Sequence, residues 1–236
     1  MTWTERFDLF STLDLTAVGL LLICWLGIGY LIENAPKSKP SLSTIMVRYR
    51  REWMVHLVDR TPRVFDAQIL ANLRQGTSFF ASATMIAIGG GLALVGNPDQ
   101  LSGVASEFAM MKAPTFVIEI KLILVILLIS NAFLKFVWAH RLFGYCSVVM
   151  SAVPNDPNDP AALPRAEKAS EINITAAKSF NRAMRSVYFS LAASAWLFGA
   201  IPLILASLLT LFVLWRREFA SHSRAVMLNP TDGMGG

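Results

Sequence analysis

Residues 116–138 read FVIEIKLILVILLISNAFLKFVW, and they decide the class of the protein. From Leu122 to Ile129 no side chain carries a polar atom, and the charged residues Glu119, Lys121 and Lys135 are confined to the two ends of the run. Twenty-three helical residues at about 1.5 Å each span roughly 35 Å, enough to cross a hydrocarbon core of about 30 Å. Lipid offers no partner to backbone N–H and C=O groups, so such a run must be helical.

Three more runs have the same character. Residues 15–32 follow Asp14, a candidate N-cap, and carry Trp25 and Tyr30 toward the far end, where aromatic rings favour the headgroup zone. Residues 77–96 are dense in Gly, Ala, Ser and Thr. Residues 187–214 are 28 long, about 42 Å as a helix, so that span must tilt, protrude or kink, with Pro202 as the kink. The composition agrees: 54% hydrophobic and 16% charged, against about 45–50% and 25% in ordinary globular domains. The expectation is an all-α membrane protein: one membrane domain over 1–236, with four transmembrane helices and amphipathic cytoplasmic helices.

Charge orients the bundle. Eight Lys and Arg fall in 33–76 and seven in 135–186, against one in 1–12, one in 97–115 and three from Trp215 onward. An outside N-terminus therefore puts fifteen basic residues in the cytoplasm and five outside, as the positive-inside rule favours. The exception is Trp215-Arg216-Arg217, a basic end on the outer face. A re-entrant hairpin bent at Pro202 would bring that tail back inside. Its two halves of about 13 residues would need protein or water around the bend, so a single span is preferred. The N-terminus is not a cleavable signal, since Glu5, Arg6 and Asp8 replace a basic leader.

The cytoplasmic segments, about 33–76 and 139–186, are structured. Leu42, Ile45, Met46, Tyr49, Trp53 and Leu57 follow helical spacing, with Arg48, Arg50, Arg51 and Glu52 elsewhere on the wheel. That helix either lies on anionic lipid headgroups or packs on other helices of the chain. After Thr61-Pro62 a second helix with Val64, Phe65, Ile69, Leu70 and Leu73 leads into the second span. Residues 154–160, PNDPNDP, form a loop. Beyond Pro164 a helix with Ile172, Ala176, Phe180, Met184 and Val187 on one stripe runs into the fourth span.

Four polar residues of the third span, Glu119, Lys121, Asn131 and Lys135, are the functional or intersubunit candidates, because ionisable groups in a membrane are costly to keep. The lysines lie about 21 Å apart along a helix and could each snorkel to an interface. Glu119 has the shorter stem and needs either a role or an ion-pair partner. In the second span Ala83, Ala87 and Gly91 recur every four residues, which suits close helix packing inside the bundle or at a subunit interface. Cys24 and Cys146 are packing thiols and no disulfide framework. His56, His140 and His222 are scattered, without the clustering a metal needs. Glu33, Asp59 and Asp66 belong with surface ion pairs. No phosphate loop or nucleophile elbow is present, so neither an enzyme nor a cofactor is expected, and the basic charge reflects membrane orientation and not nucleic acid.

The stretches Phe65-Asp66-Ala67-Gln68-Ile69-Leu70, Ser78-Phe79-Phe80-Ala81-Ser82-Ala83-Thr84, Glu119-Ile120-Lys121, Lys135-Phe136-Val137-Trp138, Phe180-Asn181-Arg182-Ala183-Met184-Arg185 and Arg217-Glu218-Phe219 resemble a bacterial and plant membrane-protein family, domain of unknown function 599. Ala183-Met184 replaces a Gly-Leu-like pair. The resemblance implies a four-span protein of a bacterial inner (plasma) membrane and supplies no activity. Function is then a choice between a homo-oligomeric channel-like or transport protein and an accessory subunit of a larger membrane complex. A lipid-converting enzyme, supported only by interfacial arginines such as Arg60 and Arg63, is the third reading. Membrane lipid and either a second copy or a complex subunit are the implied partners.

Overall fold

A computed structural model describes residues 9–97 and 114–229. The N-terminal charges Glu5, Arg6 and Asp8 and most of residues 97–115 lie outside the described residues. Among the described residues every regular element is a helix: α1 (Thr12–Glu33), α2 (Leu42–Asp59), α3 (Val64–Val95), α4 (Thr115–Ser151), α5 (Ala162–Ser194), a 3-10 turn (Ala195–Phe198), α6 (Ala200–Phe219) and α7 (His222–Met227). Four stretches are long and apolar enough to cross a membrane: α1, α3, α4 and Ala200–Met227, which holds α6 and α7. The chain is an all-α, multi-pass membrane protein.

The last apolar run differs from expectation. Residues 187–214 are not one span kinked at Pro202, because α5 ends at Ser194, the 3-10 turn follows, and Gly199 separates it from α6. Gly199 has φ 122° and ψ 175°, a backbone region open essentially to glycine alone. Pro202 lies in the first turn of α6, where a missing N–H costs little. Proline thus starts the second arm and glycine makes the break. The start of α1 is also shifted. Asp14 is not its N-cap: Ser11 Oγ accepts the Asp14 N–H at 3.1 Å, and Asp14 Oδ2 accepts the Ser11 N–H at 3.1 Å. This is a reciprocal capping box with Asp14 three residues inside.

The described residues form two compact units. Unit 1 comprises the chain up to Ile28, Phe80–Leu134 and Arg182–Phe212. Unit 2 comprises Gly29–Phe79, Lys135–Asn181 and the chain from Val213. The tail carrying Arg216 and Arg217 is therefore in the same unit as residues 33–76, which corrects its expected place on the opposite side. Glu218 makes this specific. Its carboxylate accepts the Ser43 N–H and Oγ–H, each at 3.0 Å, at the N-terminus of α2, where a negative charge meets the positive end of the helix dipole. Arg224 Nε donates to the Pro40 carbonyl at 2.9 Å.

Unit 2 has a core of Met54 and Leu57 from α2, Leu70 from α3, Phe143, Cys146 and Met150 from α4, and Ala166, Ala169 and Ala176 from α5. Helix α2 follows the expected bounds, and it packs against other helices of its own chain through this core. In unit 1, Ala17, Leu21, Cys24 and Ile28 form the buried stripe of α1. Both cysteines are buried thiols.

Helix α5 belongs to both units, and of the apolar stripe expected on it only Ala176 is buried outright. Ile172, Phe180, Met184 and Val187 are only half-buried. The face that disappears is Ala166, Ala169, Asn173 and Ala176 in unit 2 and Ala183, Ser186, Ser190 and Ala193 in unit 1. Spacings of three and four along both stretches describe a helix surrounded by neighbours at close approach.

Candidate functional site

The polar groups of unit 1 lie at two levels of α4. At the first, Lys121 places its ammonium 5.6 Å from the centroid of the Trp196 ring, a cation–π distance. The Trp196 indole N–H donates to Asp14 Oδ1 at 2.7 Å. One ring thus joins the first turn of α1, the start of α4 and the 3-10 turn after α5. Lys121 has a partner within the protein and does not depend on snorkelling alone. At the second level, ten residues further along α4, Ser186 Oγ donates to Asn131 Oδ1 at 3.1 Å. Ten residues is also the separation of Ser186 from Trp196, so α4 and α5 run antiparallel between the two anchors. Within this stretch Arg185 and Ser190 are buried, and Ser190 Oγ returns its proton to the Val187 carbonyl at 2.7 Å. The hydroxyls are satisfied, as buried polar groups in lipid must be.

Of the four candidates in the third span, the structure brings Lys121 and Asn131 into contacts of unit 1 and places Lys135 in unit 2. Glu119 is half-buried and makes no hydrogen bond or ion pair among the described residues. The small-residue stripe also divides. A Cβ on Gly91 would stand 2.8 Å from Cγ1 of Ile126 on α4, so glycine is required for that approach, whereas Gly89 and Gly90 face open space. Ala83 and Ala87 are exposed.

Unit 2 is held by polar knots that the sequence alone did not reveal. Asp66, expected among surface ion pairs, is fully buried. It accepts the Trp53 indole N–H at 2.7 Å and pairs with Arg60, tying α2 to the start of α3. Arg50 bonds to Asn173, whose amide in turn donates to Cys146 Sγ at 3.7 Å. Burial pushes the Arg50 guanidinium down from its ordinary value, while the hydrogen bond from Arg51 to Glu171, at 2.8 Å, pushes Arg51 up. Among the described residues no group of three His, Cys, Asp or Glu is placed to hold a metal ion.

Residues 16–223 match the family described as protein of unknown function, DUF599. The chain belongs to that family. No curated protein and no solved structure matches it. Several motifs that carry the DUF599 resemblance now have structural roles: Asp66 in the α2–α3 knot, Glu218 on the N-terminus of α2, and Asn181, whose amide lies 3.5 Å from Ser43 Oγ.

Proposed function

We propose that this DUF599 protein is a non-enzymatic, homo-oligomeric protein of a bacterial plasma membrane with a channel-like or transport role, assembled through the span of α3. The observation that carries this is the exposure of α3. Only 6% of its most apolar window is buried, against 22–28% in the other three. Its exposed surface includes Ser82, Ala83, Ala87, Gly89 and Gly90, residues that let a second helix backbone approach where large side chains would hold it off. Glu119 is the polar group such an assembly would use, since ionisable side chains at this depth mark substrate or ion paths in membrane proteins.

The same reading puts residues 33–76, 139–186 and the tail in the cytoplasm and the N-terminus outside. With the tail beside residues 33–76, seventeen Lys and Arg fall on one side against two on the other, with Lys121 and Lys135 inside the span. That is a stronger positive-inside bias than a single last span provides. The test is purified protein in nanodiscs and liposomes. Multimers that carry an ion or small-solute flux, and that become monomers on Ala83→Leu with Ala87→Leu, are expected. A monomer silent toward ions and small solutes would end the proposal.

A further inference from the structure

A half-open cleft of about 470 Å³ lies on unit 2, walled by α2, α3, α4 and the loop after α4. Leu70 and Met150 supply apolar wall, and Arg63, Arg74, Ser151 and Asn155 supply polar wall. Two guanidiniums and no carboxylate line it. Arg63 directly precedes α3 and Arg74 lies about three turns into it, and both line the cleft.

The two arginines are in different states. Arg63 is a structural clamp. Its guanidinium donates to the carbonyls of Leu57 at 3.1 Å and Val58 at 3.2 Å, near the end of α2, and to those of Val153 at 2.7 Å and Pro154 at 2.6 Å, just past α4. Its charge sits against the negative ends of two helix dipoles. Arg74 has no such complement. Its Nε is buried and has no hydrogen-bond partner, and it makes no ion pair among the described residues. A buried guanidinium N–H without an acceptor is costly, and the acceptor that fits its planar fork is a carboxylate or phosphate oxygen. The protein supplies neither in this cleft, whose volume is in the range of small-molecule sites and well above that of a bare oxyanion.

We propose that this cleft binds a phosphate ester, with the phosphate on Arg74, a hydrogen bond from the Asn155 amide, and the organic group against Leu70 and Met150. The same chemistry belongs to the headgroup of an anionic glycerophospholipid and to a soluble ester such as glycerol phosphate. The site is independent of any flux through unit 1.

The test uses the full chain in phosphatidylcholine nanodiscs, titrated calorimetrically with sn-glycerol 3-phosphate. In parallel, nanodiscs containing phosphatidylglycerol are used to count retained lipid by native mass spectrometry. Saturable ester binding that weakens tenfold or more in Arg74→Gln, and less in Arg74→Lys, supports the site and identifies a soluble ligand. Retention of phosphatidylglycerol that Arg74→Gln abolishes supports it and identifies a lipid. Ala71→Leu, which narrows the same cleft and leaves both guanidiniums, should produce the same loss and carries the test if Arg74→Gln does not fold. No binding of either probe, or binding that the folded variants leave within twofold, overturns the proposal.

Discussion

Helices α3 and α5 are nearly equal in length, 32 and 33 residues, and composition alone would assign them opposite places from those they take. Over its span α3 is oily and leaves Phe79, Met85, Ile86 and Leu92 exposed. Helix α5 carries Arg165, Glu167, Lys168, Lys178, Arg182 and Arg185, yet its Ala and Ser face is almost entirely buried. In water, oil is driven inward because apolar surface is costly to hydrate. In lipid that drive is missing between helices, since acyl chains are as apolar as leucine, and close packing with internal hydrogen bonds decides what goes inside. Large apolar side chains can then face outward, and small or hydroxylated ones can be central.

Each prediction presses on that contrast. Ser186→Leu puts a large side chain into the fully buried face of α5 and removes the bond to Asn131; a loss of about 3 kcal/mol is expected from overpacking, read as denaturant unfolding in detergent. If the variant is as stable as the parent, α5 is not the packed helix described. Gly199→Ala forces a Cβ into a glycine-only backbone region where α5 turns toward α6, with an expected cost of about 2 kcal/mol; an unshifted melting midpoint would mean that the break has another cause. Trp196→Phe removes the indole donor from Asp14 and should cost about 1.5 kcal/mol, measured by the same unfolding transition. The smallest pair separates the two sides of α3. Gly91→Ala must displace Ile126 and should cost about 1 kcal/mol, while Gly89→Ala meets open space and should stay within about 0.5 kcal/mol. Equal effects would show that α3 has no packed side.

Much of the architecture was legible because it follows from local chemistry. The run at 116–138 announces a span by its length and the uninterrupted apolar stretch Leu122–Ile129. The amphipathic spacing from Leu42 to Leu57 describes α2 almost to the residue. The candidate site was legible only in its components. Lys121 and Asn131 could be singled out as polar groups in an apolar run, but their partners, Trp196 and Ser186, lie 75 and 55 residues away. Asp66 illustrates the same limit. Its composition suits a surface ion pair, and only the approach of Trp53 and Arg60 makes its burial tolerable.

By itself the sequence determined the class of the protein, the four stretches able to cross a membrane, the helices that connect them and the family, because hydropathy, helical period and motif are all carried by neighbours along the chain. The tertiary structure decided that residues 187–214 form two arms around Gly199, that the basic tail joins residues 33–76, and which face of α5 is buried. Those outcomes depend on contacts between residues distant in sequence, where the fit of small side chains and the pairing of buried charges outweigh the apolar pattern of any one helix.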